Sequence, residues 1–137
     1  MTRAAMPGLS MSLLASQDGR IAHVRLFGDN GFEASAINAE TISDYVASRR
    51  FGALIIDWSE CSMLQTAPQF DAVAARFAAR LSPTTRFIVL HRPDQFGHAL
   101  FLTRALHRAG FPARAFQSEA ECLLWLASQD TSPQQTG

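Results

Sequence analysis

The pattern of apolar and polar residues alternates between the strand period and the helix period along most of the chain. The clearest stretch begins with an unbroken apolar run, Ala53 to Ile56, which ends on the carboxylate of Asp57. β-Branched residues at the centre of such a run favour a strand that is covered on both faces. The helical spacing of the apolar residues that follow predicts an amphipathic helix from near Pro68 to Leu81. We therefore predict a central strand of a parallel sheet, with working groups at its carboxyl end, from Asp57 to Gln69.

Turn and cap residues divide the chain into nine elements in the order ββαβαβαβα. Asp18-Gly19 predicts a hairpin turn, because glycine adopts positive φ at little cost. Thr66-x-x-Gln69 and Ser118-x-x-Glu121 have the form of capping boxes. Asn38 and Asp94 are predicted as the N-caps of the first and third helices. The predicted strands are 11–16, 20–27, 53–57, 86–90 and 112–116, the helices are 38–50, 68–81, 95–109 and 119–128, and 28–31 is a loop.

This order predicts an α/β fold with a mixed, mostly parallel sheet of about five strands, an N-terminal hairpin and four helices. Each strand after the hairpin is followed by a helix, so right-handed crossovers make those strands parallel. Residues 10–128 are predicted to form a single domain. Residues 1–9 and 129–137 are predicted to be flexible tails, because their small and polar residues have nothing to bury.

Composition and charge narrow the classes of function. The 137 residues include twelve basic and twelve acidic ones, so the formal net charge is zero. This balance gives no electrostatic drive toward nucleic acid, and it is compatible with a homodimer. We find no signal peptide and no run long enough to span a membrane, and we expect a cytoplasmic protein. Cys61 and Cys122 lack the spacing of a disulfide framework or a zinc site, and no phosphate-binding loop is present, so no metal or cofactor is expected.

The segment from Ile55 to Pro68 carries a resemblance to a known family. It reads Ile-Ile-Asp-Trp-Ser-Glu-Cys-Ser-Met-Leu-Gln-Thr-Ala-Pro. It resembles the STAS domain of bacterial anti-sigma-factor antagonists, in which a strand ending in Asp leads through a Ser-containing loop and two apolar residues to Asp-Ser-Ser/Thr-Gly. Residues 116–126 also resemble the last strand and helix of its SpoIIAA-like relatives. The resemblance covers residues 10–128 and implies a non-enzymatic regulatory module that binds a protein, such as a kinase or a sigma-factor regulator.

The resemblance implies a phospho-switch at Thr66, which stands where the family has the serine that a partner kinase phosphorylates. Gln65, Ala67 and Pro68 depart from the Asp, hydroxyl and Gly of the family motif. A phosphate at a helix N-terminus suits the helix dipole and opposes an acidic or apolar partner. The plainer alternative is that Thr66 serves only as an N-cap. The predicted interaction loop comprises Asp57, Trp58, Ser59, Ser62, Gln65, Thr66 and Gln69.

The aromatic residues near the third helix and the last strand suggest a second possible function, the binding of an apolar ligand. These are Phe96, Phe101, Phe111 and Phe116. An apolar cleft left among them is typical of a lipid-binding or other apolar-ligand protein. The SpoIIAA-like group is similar in fold to lipid-transfer domains of the Sec14 type, which favours the same alternative.

A third alternative is a hydrolase-like enzyme built around Asp57 and Cys61. The competing hypothesis gives Asp57 a structural role, in which its carboxylate accepts hydrogen bonds from loop amides. No glycine-rich elbow or neighbouring histidine supports Cys61 as a nucleophile. His98 and His107 are nine residues apart on one predicted helix, which places them on opposite sides and argues against a shared metal site.

Overall fold

The computed structural model describes residues 4–6 and 9–136 of the chain, with side chains for residues 11–129. It confirms the predicted α/β fold class. A single turn of 3₁₀ helix, Pro93–Gln95, precedes the third α-helix. The elements are β1 (Ala4–Met6), β2 (Leu9–Ala15), β3 (Ile21–Asn30), α1 (Phe32–Arg49), β4 (Ala53–Met63), α2 (Ala67–Ala78), β5 (Arg86–Leu90), α3 (Phe96–Arg108), β6 (Ala113–Phe116) and α4 (Glu119–Thr136).

The six strands lie in one sheet in the order in which they occur along the chain. The β1–β2 and β2–β3 pairs are antiparallel, and all later pairs are parallel. β1 adds one strand to the five or so that were predicted, and it lies with Leu9 in the stretch predicted as a loose arm. The other residues of that arm lie outside the described residues. β1 pairs with the start of β2, which gives partners to backbone groups that a sheet edge leaves unpaired.

Helices cover the two faces of the sheet unequally. α1, α2 and α3 pack on one face, which holds the larger core, including Val24, Ile56 and Phe87. α4 packs on the other face against a smaller cluster that includes Ile55 and Ile88. The alternation along β3 and β4 therefore sends successive side chains into two different layers.

β3 and β4 are longer than predicted, so two of the predicted loops are wrong. Residues 28–30 belong to β3, and residues 58–63 belong to β4. The ladder shifts register after Arg25 pairs with Asp57, and it resumes where Phe27 pairs with Glu60. Beyond this bulge the strands continue to the pair Asn30 and Met63. The glycine and serine residues in these stretches are typical of turns when only the local sequence is considered. They form strands because of pairing with residues far away in the sequence.

The first helix begins before the predicted cap. Gly31 is the N-cap of α1, and Asn38 lies buried within the helix. Its Nδ2 donates to Oδ1 of Asn30 at 3.1 Å, so a residue type favoured at caps serves here as a core hydrogen-bonding group. The helix runs to Arg49, and its C-cap Arg50 adopts the left-handed conformation with φ 58°, so its C-terminal end agrees with the predicted end at residue 50.

Two later boundaries also differ from prediction. Asp94 lies in the 3₁₀ turn and Gln95 is the N-cap of α3, so the predicted cap at Asp94 is wrong. α4 runs to Thr136 and so includes the stretch from residue 129 that was predicted as a flexible tail. Propagation of a helix adds one hydrogen bond for each residue fixed, which lets a capped helix continue into polar sequence. Among the described residues, no helix is long and apolar enough to cross a membrane.

Candidate functional site

The N-termini of three helices meet at one edge of the sheet. α1, α2 and α3 each follow a parallel strand, so each starts at the carboxyl end of β3, β4 or β5. This carboxyl edge is where parallel α/β proteins commonly place ligand and partner sites. Thr66, at the start of α2, lies at this edge.

Thr66 is the exposed N-cap of α2, and the predicted capping box is present. The backbone N–H of Gln69 donates to Oγ1 of Thr66 at 3.4 Å, and the backbone N–H of Thr66 donates to Oε1 of Gln69 at 3.0 Å. Pro68 lies in the first turn, where a missing N–H removes no intrahelical bond. Local sequence alone therefore fixes the conformation around this hydroxyl.

The residues just before Thr66 alternate between the interior and the surface. Met63 and Gln65 are buried, whereas Leu64 is 61% exposed. The backbone N–H of Leu64 donates to the carbonyl of Asn30 at 2.9 Å, which continues the β3–β4 ladder by one bond. Nε2 of Gln65 donates to Oγ of Ser35 at 2.5 Å, tying this segment to α1. The buried residues Met63 and Gln65 thus anchor this segment, and the side chains of Leu64 and Thr66 face solvent.

The structure does not bring the predicted interaction loop together as one surface. Asp57 and Trp58 are buried in β4 rather than exposed on a loop, because the strand continues through them. Alternation places Asp57 on the α4 face of the sheet and Trp58 in the core beneath α1–α3. Ser62 and Thr66 are exposed, Ser59 and Gln69 are half-buried, and Gln65 is buried.

Asp57 is the buried centre of a partly exposed polar cluster that the sequence analysis missed. Its Oδ2 lies 3.1 Å from Nε2 of His23 and 2.9 Å from Nε of Arg25, both on β3. Its Oδ1 accepts from the backbone N–H of Ser59 at 2.8 Å. Burial alone raises the pKa of the Asp57 carboxyl, but the hydrogen bonds from His23, Ser59 and Arg25 outweigh it and hold that pKa well below the usual range. Arg25 and Asp57 are paired neighbours on β3 and β4. This contact could have been predicted from the sequence only if the register of the two strands were known.

Cys61, the other residue of the hydrolase alternative, is buried in the core beneath α1–α3. Burial raises the pKa of its thiol to about 12, so the nucleophilic thiolate is suppressed at neutral pH. Asp57 is already engaged by three donors. Within the described part of the chain, no group of three His, Cys, Asp or Glu side chains could hold a metal ion.

The exposed apolar residues at the carboxyl edge are a feature that the sequence analysis did not assemble. Leu64, at 61% exposure, is accompanied by Ile37 near the start of α1 and by Phe96 and Phe101 in the first half of α3. These helices pack beside α2, and the ring of Phe101 lies 6.4 Å from that of Phe70 in α2. We call Ile37, Leu64, Thr66, Phe96 and Phe101 the carboxyl-edge surface. Ile37 and Phe101 lie outside the buried apolar stripes of their helices. An apolar residue outside such a stripe is the sequence pattern that could have indicated their exposure.

The four phenylalanines of the predicted apolar cleft do not share one site. Phe111 is buried in the core, and Phe116 lies on the other face of the sheet against Trp125. Phe96 and Phe101 are exposed on α3. The cavity beneath α1 and α2 has a volume of about 30 Å³. Sites for drug-sized ligands enclose roughly 300–1,000 Å³, so this cavity does not hold a lipid.

Three acidic side chains are exposed near the carboxyl ends of β3 and β4. Asp29, Glu33 and Glu60 are exposed at the ends of β3 and β4 and at the start of α1. The nearby guanidinium of Arg92 donates to three main-chain carbonyls of β4 at 3.0 to 3.2 Å, and it also pairs with Asp94. Arg92 is therefore a structural group that covers the part of β4 extending beyond β5.

Comparisons with known proteins show the fold. No family model matches the chain, and a search of curated proteins gave no match. Among solved structures, the unphosphorylated anti-sigma-factor antagonist SpoIIAA matches with a TM-score of 0.54 and 16% identity, over 85% of this chain and 97% of that chain. An anti-sigma-factor antagonist from Mycobacterium paratuberculosis matches with a TM-score of 0.53 and 16% identity, over 88% and 97%.

A third solved structure is an uncharacterised Shewanella loihica protein described as having a SpoIIAA-like fold. It matches with a TM-score of 0.56 and 15% identity, over 87% of this chain and 93% of that chain. The three matches cover nearly the whole of each compared structure. Together they confirm the resemblance drawn from residues 10–128: the chain has the STAS, or SpoIIAA-like, fold.

Proposed function

We propose that this protein is a non-catalytic regulatory module that binds a protein partner through the carboxyl-edge surface, with a phospho-switch at Thr66. The observation that carries the proposal is the exposed, capped hydroxyl of Thr66 two residues from the exposed side chain of Leu64. Clusters of exposed apolar side chains commonly mark contact surfaces. A hydroxyl within such a cluster is well placed to control contact by modification.

Electrostatics indicates the direction of the switch. A phosphate on Thr66 adds a charge of about −1.5 to −2 to a surface that unmodified binding buries against apolar groups. The positive end of the α2 dipole favours that charge in the free protein. Desolvating that charge against an apolar partner surface is costly. Phosphorylation is therefore expected to release the partner.

The fold neighbours support a regulatory role. Two of the matched proteins are anti-sigma-factor antagonists. SpoIIAA has been solved in both an unphosphorylated and a phosphorylated form. A partner kinase or sigma-factor regulator is the corresponding proposal for this protein. The departures at Gln65, Ala67 and Pro68 mean that such a partner must recognise the threonine in a different local setting.

The test is affinity capture from a lysate of the organism that supplies the sequence, with wild type, Thr66→Glu and Thr66→Ser as baits. Captured proteins and extractable lipids are identified by mass spectrometry. We expect a protein partner that wild type and Thr66→Ser retain and Thr66→Glu loses. Equal recovery by all three baits contradicts the switch, and a stoichiometric lipid in place of a protein supports the apolar-ligand alternative.

A further inference from the structure

A small cavity lies between the sheet and helices α1, α2 and α3. Its volume is about 30 Å³. Most of its lining is apolar, but four polar side chains also line it. These are Ser35, Asn38, Trp58 and Gln65.

Three of these four side chains each carry a polar atom that lacks a partner. Among the described residues, Oδ1 of Asn38, Oε1 of Gln65 and Nε1 of Trp58 are buried without a hydrogen bond. Their residues are 3%, 6% and 0% exposed. Buried polar groups in native proteins are nearly always hydrogen-bonded, to protein or to ordered water. Two orphaned acceptors and one orphaned donor around one cavity therefore call for a shared partner.

The orientation of both amides is fixed by their nitrogen atoms. Nδ2 of Asn38 donates to Oδ1 of Asn30. Nε2 of Gln65 donates to Oγ of Ser35 and to Sδ of Met63. Oδ1 of Asn30 and Sδ of Met63 can only accept, so an amide nitrogen faces each of them, and the carbonyl oxygens of Asn38 and Gln65 are the unpaired atoms.

We propose that this cavity is a binding site for one water molecule, held by Asn38, Gln65 and Trp58. The water donates one proton to each amide oxygen and accepts the indole N–H. A cavity needs about 10–15 Å³ of this kind of volume to hold a water, so about 30 Å³ is sufficient. Water is the ligand class that matches both the size of the site and its two acceptors and one donor.

The water joins three elements at the base of the carboxyl-edge surface. Asn38 belongs to α1, Trp58 to β4, and Gln65 to the segment that ends at Thr66. The bridge therefore sets the position of the segment carrying Leu64 and Thr66. This inference stands whether or not Thr66 is phosphorylated.

The test is a rotating-frame water–protein Overhauser measurement on the isotopically labelled full chain, because the sign of the signal separates dipolar contact from proton exchange. Wild type is expected to show a dipolar cross-peak between water and the indole proton of Trp58. Gln65→Met is expected to lose it. Ser43→Ala is the matched control and is expected to keep it, because Ser43 is also buried with an unpaired hydroxyl on α1 but does not line the cavity.

The wild-type spectrum decides the proposal even if Gln65→Met does not fold. Absence of a dipolar water signal at the Trp58 indole overturns the site. A signal that survives in folded Gln65→Met, or that Ser43→Ala abolishes, overturns the assignment of the water to Asn38, Gln65 and Trp58. Chemical-shift dispersion in the same samples reports whether each variant is folded.

Discussion

Asp57 and Thr66 belong to one stretch of sequence, yet the structure gives them opposite surroundings. Asp57 is buried, and its carboxylate is engaged by side chains of β3 and by the backbone of Ser59. Thr66 is exposed, and its hydrogen bonds come from its own helix. A buried carboxylate with every partner supplied by the protein serves the fold. An exposed hydroxyl held by local bonds leaves its surroundings free for a partner.

The difference arises from where each residue's hydrogen-bonding partners lie along the chain. The partners of Asp57 on β3 come from more than thirty positions away, at separations of 34 for His23 and 32 for Arg25. The partner of Thr66 is three residues away. Loss of a long-range buried cluster should therefore destabilise the whole protein, whereas loss of the cap should affect mainly one helix end.

The largest effect is expected for Asp57→Asn. The substitution removes the buried negative charge that faces the half-buried side chains of His23 and Arg25. We expect the free energy of unfolding to fall by about 2 to 3 kcal/mol, below the usual 3 to 5 kcal/mol for breaking a buried pair, because Arg25 retains access to water. Urea unfolding measures the change. Asp94→Asn, which removes the carboxylate of an exposed ion pair with Arg92, is the control and should lower the free energy of unfolding by less than about 1 kcal/mol. Equal midpoints for the two variants would assign Asp57 no structural role.

The same stabilisation should depend on pH. The folded-state pKa of Asp57 lies below its unfolded value, so its contribution is complete above the ordinary aspartate pKa of about 3.9 and is lost as pH falls below it. The gap in urea midpoint between wild type and Asp57→Asn should shrink as the pH falls through that acid range. A gap that persists undiminished in strong acid would show that packing, rather than charge, makes Asp57 necessary.

A smaller effect is expected at the cap. Thr66→Ala removes the oxygen that accepts the N–H of Gln69, and N-cap replacements of this kind cost about 1 kcal/mol. Thr66→Ser keeps the hydroxyl and should unfold at nearly the wild-type urea concentration. If Thr66→Ala were as stable as Thr66→Ser, the capping box would contribute nothing to stability. The local hydrogen bonds of Thr66 would then not explain its conformation.

Sequence pattern predicted what depends on local spacing. The element types, the central strand from Ala53, the Thr66 capping box and the SpoIIAA-like resemblance are all present in the structure. Turn chemistry, hydrophobic period and capping act over a few residues, so they are visible along the chain.

What the sequence missed depends on strand register. Continuation of β3 and β4 past the bulge turned a predicted loop into a strand and placed Asp57 and Trp58 in different layers. The contacts of His23 and Arg25 with Asp57 follow from that register. The sequence also could not predict that Ile37 and Leu64 lie at the same edge of the sheet, because that depends on which helices start next to each other. These features are tertiary, and local propensity carries little information about them.

The most direct test of the carboxyl-edge surface compares two exposed leucines at opposite parts of the molecule. Leu64 is 61% exposed beside Thr66, and Leu124 is 71% exposed on α4, which covers the other face of the sheet. Leu64→Ser and Leu124→Ser are used as matched baits beside wild type in affinity capture, with urea unfolding as the check that both are folded. We predict that Leu64→Ser loses the partner that Thr66→Glu loses, and that Leu124→Ser retains it. Retention by Leu64→Ser with loss by Leu124→Ser would contradict the account and move the partner-binding surface to α4.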